Sequence, residues 1–260
     1  MERTMSPAQL RSLIRTAEWK GPTSGLAPGY VQANLVMLPR EDAFSFLLFC
    51  VRNPRPCPIL DVLEPGQYEP RIAPGADLRR DLPKYRIYEK GILKSEVESV
   101  SDIFNEETVS FLLGCSFSFE NALLAAGLPV RNIEEGKNVS MYVTNRVCAP
   151  SVPFSSPLVV SMRPMKPDQA IRAAQVTTRF YLTHGAPIHF GSPDEIGIRN
   201  LAEPEFGDPV TIHPGEIPVF WACGVTSQTA VLSARVPLAI THSPGHMFVS
   251  DLRDEELTIL

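Results

Sequence analysis

Proline is the feature that most limits this chain: 25 of its 260 residues, about twice the usual share of ~5%. The prolines are scattered and unrepeated, so they punctuate turns and loops and do not form a polyproline tract. Elements between them must be short. A chain of 260 residues fits one large domain or two small ones at roughly 100–200 residues each. With 44% hydrophobic and 20% charged residues, it has the composition of a globular protein that needs no disulfide or structural metal.

Net charge is −5, which argues against a general nucleic-acid binder. The longest apolar stretch, Phe44 to Val51, is broken by Ser45 and falls far short of the ~20 residues that span a bilayer. Met1 to Pro7 shows no apolar leader core. Five cysteines, Cys50, Cys57, Cys115, Cys148 and Cys223, are odd in number and match no disulfide or zinc spacing. A reduced, cytoplasmic protein with neither nucleic-acid nor membrane partners is expected. Self-association is left open.

Ser6-Pro7-Ala8-Gln9 predicts a helix start, with serine as N-cap, proline at the first position and glutamine three after the cap. An extended run comes next at Val31–Leu38, then a helix over Pro39–Arg52, apolar nearly all round and so expected to be buried on most sides. Residues 53–85 are proline- and glycine-rich and largely irregular, the kind of stretch that often covers a site. Short strands are expected at Tyr85–Tyr88 and Ile92–Val97. Asn105-Glu106-Glu107 reads as the opening of a helix that stops at Gly114, and a second helix runs from Ser116 or Ser118 to Gly127. Cys115-Ser116 would then mark a break between two helices.

Beyond Lys137, strands are expected at Val139–Thr144, Leu158–Met162, Pro187–Phe190, Ile217–Cys223 and Leu238–Thr241. Helices are expected at Pro167–Tyr181 and Thr226–Arg235. This interleaving favours α/β: a main domain with a mixed sheet and packed helices (1–135 and 186–260), and a smaller inserted α+β subdomain at 136–185.

Five segments hold most of the polar residues that can carry chemistry. In Gly114-Cys115-Ser116, a thiol at a helix N-terminus faces unpaired backbone N–H groups, which suits a nucleophile or, with Ser116, an anion cup. A buried small thiol beside capping serines is the plainer reading. Thr144-Asn145-Arg146 ends a strand where open α/β sheets bind ligands, and Arg146 suits a carboxylate; a surface ion pair is the alternative. His189 alternates with Ile188 and Phe190 and is either catalytic or structural.

Trp221-Ala222-Cys223-Gly224-Val225-Thr226-Ser227-Gln228 reads as strand, glycine turn and helix N-terminus, an anion site that would use Gly224, Thr226 and Gln228. It lacks the lysine of a nucleotide-binding loop and the serine of a hydrolase elbow. His242-Ser243-Pro244-Gly245-His246 is a turn, which removes the helical spacing a zinc pair needs, so no metal is expected. Either histidine suits acid–base work, and Asp251 could orient one imidazole; a hairpin with solvent-facing histidines is the alternative.

Taken together and in order, these segments resemble the D-glutamate cyclase family. The likeness runs through Phe111-Leu112-Leu113-Gly114-Cys115-Ser116-Phe117-Ser118-Phe119-Glu120, Met141-Tyr142-Val143-Thr144-Asn145-Arg146 and Ile188-His189-Phe190-Gly191. It continues through Pro218-Val219-Phe220-Trp221-Ala222-Cys223-Gly224-Val225-Thr226-Ser227-Gln228 and Ile240-Thr241-His242-Ser243-Pro244-Gly245-His246-Met247-Phe248. The resemblance implies a hydro-lyase with a mixed α/β fold, acting on a small carboxylate or amino acid, with D-glutamate to 5-oxo-D-proline as the named reaction; no cofactor is expected. It carries over no catalytic residues. The roles assigned here are therefore chemical. Cys115, His242, His246 and Asp251 are the candidate catalytic groups, and Ser116, Asn145, Arg146, His189, Gly224, Thr226 and Gln228 the candidate binding groups. A non-catalytic binding protein for a small carboxylate is the competing reading, and a cysteine hydrolase a third.

Overall fold

A computed structural model of the chain describes residues 5–258. Met1–Thr4, part of the segment expected to carry no leader, lie outside the described residues. The helices are α1 (Pro7–Arg15), α2 (Arg40–Arg52), α3 (Phe117–Ala125), α4 (Arg131–Glu134), α5 (Pro167–Thr178) and α6 (Val225–Ala234). The strands are β1 (Tyr30–Pro39), β2 (Ile59–Leu63), β3 (Tyr85–Glu89), β4 (Ile92–Val97), β5 (Thr108–Gly114) and β6 (Ser140–Val147). They continue as β7 (Pro157–Met165), β8 (His189–Phe190), β9 (Ile217–Ala222), β10 (Ala239–His242) and β11 (Phe248–Arg253).

Seven strands form one antiparallel sheet in the order β2-β5-β1-β10-β3-β4, with β11 also on β1. Four form a second antiparallel sheet in the order β6-β7-β9-β8. The architecture is α/β, with helices packed on both sheets. The second sheet draws β8 and β9 from beyond residue 185, so its membership runs to Ala222 and is not confined to 136–185. Among the described residues no helix is long and apolar enough to cross a membrane.

The Ser6 signal is realised in full: its hydroxyl accepts from Gln9 N–H while the Gln9 side chain accepts from Ser6 N–H. Three expectations are corrected. Residues 108–114 are β5, not a helix. Asn105 does accept the Glu107 N–H, as a cap would, but it closes a turn with Thr108 (2.9 and 3.0 Å). Thr108, Val109 and Phe111 then extend readily, and β5 is buried along its whole length between β1 and β2. Cys115-Ser116 is consequently a strand-to-helix junction. Second, α2 is buried on one stripe only: Ala43, Phe46, Phe49 and Cys50 face the core, whereas Phe44 and Val51 are exposed. Third, β11 has no counterpart among the expected strands.

The irregular stretch after β2 covers a core rather than a site. Ala73, Ala76, Leu78 and Leu82 pack on the face of the large sheet formed by Ala33, Leu35 and Met37. The opposite face carries Val36 and Leu38 against α2, together with Ala230 and Val231 of α6. The second sheet packs one face on α3 and α5, through Phe119, Leu123, Ala170 and Trp221. Each of two helices thus leaves one sheet and packs against the other. α3 comes after β5 but joins the core of the small sheet, and α6 comes after β9 but joins that of the large one.

Phe46 sits at the centre of the α2 face, edge-on to Phe111 and Phe154 with ring centroids 4.9 and 5.2 Å apart. Phe46→Ala should cost about 3–5 kcal/mol in urea unfolding. Phe44→Ala, on the exposed stripe, should stay within about 0.5 kcal/mol of wild type.

Candidate active site

The helix crossing creates a cavity of about 330 Å3 on the α2 face of the large sheet, lined by both junctions and by the β10–β11 turn. Cys115 and Ser116 enter from the start of α3, and Cys223 and Gly224 from the start of α6. Neither helix has a side-chain cap. Their first-turn N–H groups therefore turn to the thiols: Phe117 N–H toward Cys115, and Gly224 and Val225 N–H toward Cys223. Burial outweighs those donors and pushes Cys115 up to about 12 and Cys223 up to about 11, so both are thiols at neutral pH.

Glycine is needed at 114 and 224 for room. A Cβ on Gly114 would run into the Leu182 carbonyl, and one on Gly224 into the Asn34 amide. Asn34 in turn donates to the Gly114 carbonyl at 2.9 Å, which ties one junction to the other.

Two histidines line the cavity with opposite hydrogen-bonding roles. His242 Nδ1 accepts the backbone N–H of Leu35 at 3.2 Å, so its neutral ring carries the proton on Nε2 and is a donor. The Gln228 amide lies 3.2 and 3.3 Å from its two ring nitrogens. His184 Nδ1 donates to the Arg55 carbonyl at 2.7 Å, so Nε2 is an acceptor, and that buried atom has no partner among the described residues. Burial lowers both rings from 6.5 to about 4. His184 also holds a left-handed backbone (φ 83°), a conformation that costs a non-glycine residue roughly 1–2 kcal/mol.

Beneath the cavity, Arg163 is fully buried against the rings of Phe119 and Trp221. It pairs with Glu120 and donates to the Ser116 hydroxyl at 3.2 Å, which leaves that hydroxyl's own proton free for a ligand.

Of the residues singled out in the sequence, Cys115, Ser116, Gly224, Gln228 and His242 meet in this cavity. The others lie elsewhere. Thr226 accepts from Val159 N–H at 3.0 Å and fastens α6 to β7. His189 Nε2 pairs with the Ser192 carbonyl at 2.7 Å, its ring against Phe220. His246 turns back to the Pro244 carbonyl at 2.8 Å. Asp251 forms an ion pair with Arg11 at 2.9 Å and orients no imidazole. Asn145 is exposed, and Arg146 reaches a separate cavity. Sequence reasoning missed Asn34, His184 and Cys223 as site residues, although Cys223 stands inside one of the five polar segments and His184 opens another, which runs from His184 to Pro193. Among the described residues no three His, Cys, Asp or Glu side chains converge as a metal site would require.

The histidines set a pH signature. In the unfolded chain each takes its proton near 6.5, whereas in the native chain it stays neutral down to about 4. Between those values the unfolded state binds more protons, so acid favours unfolding. Asp254, which burial holds up at about 6, acts in the opposite sense and offsets part of this. The net loss between pH 6.5 and pH 4 from these three groups should be about 3 kcal/mol, read as a falling urea midpoint. A flat profile would refute the neutral rings.

The D-glutamate cyclase family profile matches residues 109–251, which takes in both junctions and both histidines. A protein of Syntrophobacter fumaroxidans described as "Putative hydro-lyase" is 60% identical over 98% of this chain and 98% of its own. Proteins of the same description from Stutzerimonas stutzeri (57%, 99% of this chain and 98% of theirs) and Rubrobacter xylanophilus (58%, 97% and 98%) are similar along their length. On a profile that spans more than half the chain and on these full-length relatives, the chain belongs to the D-glutamate cyclase family.

Proposed function

We propose that this protein is a hydro-lyase that acts on a small amino acid or carboxylate, and that its reaction is the cyclisation of D-glutamate to 5-oxo-D-proline and water. The observation that carries the reading is the histidine pair: an unpartnered acceptor, His184 Nε2, and a donor, His242 Nε2–H, lining one cavity. The two helix N-termini beside them favour negative charge and suit the substrate's carboxylates.

In this mechanism a carboxylate brought next to His184 raises its proton affinity from the resting value. Nε2 then takes protons one at a time from the substrate nitrogen and hands them to the departing oxygen. The nitrogen loses two protons, the C–N bond to the distal carboxyl carbon forms, its C–O bond breaks, and the oxygen leaves as water. His242 Nε2–H and the Ser116 hydroxyl donate to the oxygen that stays and stabilise the charge it develops. Cys115, a thiol at rest, lines the cavity and forms no thioester.

Purified protein incubated with D-glutamate, and separately with 5-oxo-D-proline, would be followed by proton NMR. Conversion is expected, falling about 100- to 10,000-fold in His184→Ala and His242→Ala. Cys115→Ala should stay within about tenfold, a barrier change near 1.4 kcal/mol. Its complete loss of turnover would restore the thioester route. Absence of conversion in either direction would remove D-glutamate and turn attention to hydroxy acids.

A further inference from the structure

A second cavity, about 260 Å3, lies beside the first and is lined by Arg55 and Arg146 but by no acidic side chain. Among the described residues, neither arginine forms an ion pair. Other arginines of the chain are also without a carboxylate, but these two line one cavity together. Arg55 and Arg146 bond only to backbone carbonyls, and to those of one segment. Arg55 reaches His184 O and Ala186 O, and Arg146 Nη1 reaches Ile188 O at 3.4 Å. Burial lowers the proton affinity of Arg55 with no anion nearby to restore it. Carbonyl dipoles compensate a partly desolvated guanidinium poorly, and an oxyanion would do so better.

We propose that this cavity is a second anion site, for a small oxyanion such as phosphate or a carboxylate, and that its occupancy acts on His184. The route is short. His184 Nδ1 donates to the carbonyl of Arg55 itself, and the Arg55 guanidinium holds the carbonyl of His184. An anion that draws the guanidinium away from residues 184–186 frees the segment that fixes the catalytic ring. The same loop reaches the other side of the active cavity, where the Pro58 carbonyl accepts the N–H of Gly114 at 2.8 Å. The site therefore regulates, and it stands whether or not the substrate is D-glutamate.

The test is calorimetric titration of the full chain with inorganic phosphate and with acetate at constant ionic strength set by chloride, alongside nitrogen NMR of the His184 ring. One saturable phosphate site per chain is expected, weakened at least tenfold in Arg146→Met and in Arg55→Met. The His184 resonances should move with the same midpoint. Acetate binding more tightly than phosphate would name the carboxylate as the natural source of the charge, and the reverse order would name phosphate. Arg146 is exposed and makes a single long bond, so Arg146→Met keeps the wild-type melting temperature and carries the test if Arg55→Met fails to fold. Phosphate affinity unchanged in Arg146→Met would overturn the site, as would heats that chloride alone reproduces. Saturable binding with His184 unmoved would overturn the coupling.

Discussion

A ten-residue strand at the centre of a sheet has two long edges to satisfy, and β1 satisfies them unequally. Its pairing with β5 is continuous from Ala33 to Pro39. On the other edge β11 takes Tyr30 to Ala33 and β10 takes Val36 and Met37, which leaves the backbone between them without a strand partner. A buried N–H cannot go unpaired without a cost of roughly 1–3 kcal/mol, and the Leu35 N–H finds its acceptor in His242 Nδ1. That one bond fixes the tautomer of the ring and puts its remaining proton on Nε2, beside the Gln228 amide that lines the cavity. The cavity is built where the ladder of the large sheet is interrupted.

The crossing of α3 and α6 accounts for the rest of the cavity wall. Each helix must begin where it passes from its own sheet to the other, and both passages meet at the same place. First-turn N–H groups, two thiols and the close approaches at Gly114 and Gly224 all result from that one arrangement. Arg163 and Glu120 join β7 to α3 directly under it. A buried pair of this kind is a weak source of stability in general. Here it fixes the orientation of the Ser116 hydroxyl.

Features set by neighbours in the chain were legible in the sequence. The capping box at Ser6, the glycine turn before α6 and the α/β interleaving all depend on residues a few positions apart. The family was legible for a related reason, since its resemblance lies in contiguous segments. The features that escaped were decided across long separations. Asn105 carries a true cap signature, yet β1 and β2 draw residues 108–114 into β5 by pairing on both sides. The acceptor role of His184 depends on a carbonyl 129 positions away, and the place of Asn34 depends on a glycine 80 positions away. His246 and Asp251 have the chemistry that a site wants. Only their partners, Pro244 and Arg11, show where that chemistry is spent.

The exchange of helices between sheets also bears on how the molecule unfolds and admits a ligand. Neither sheet has a complete core of its own: the small one lacks a wall without α3, the large one without α6. Two bodies that share their interiors in this way are coupled, an arrangement that favours one cooperative melting transition in spite of the two sheets. The cavity wall is open to solvent where it carries least of either core, at Asn138, Gly207 and Pro244, which are exposed.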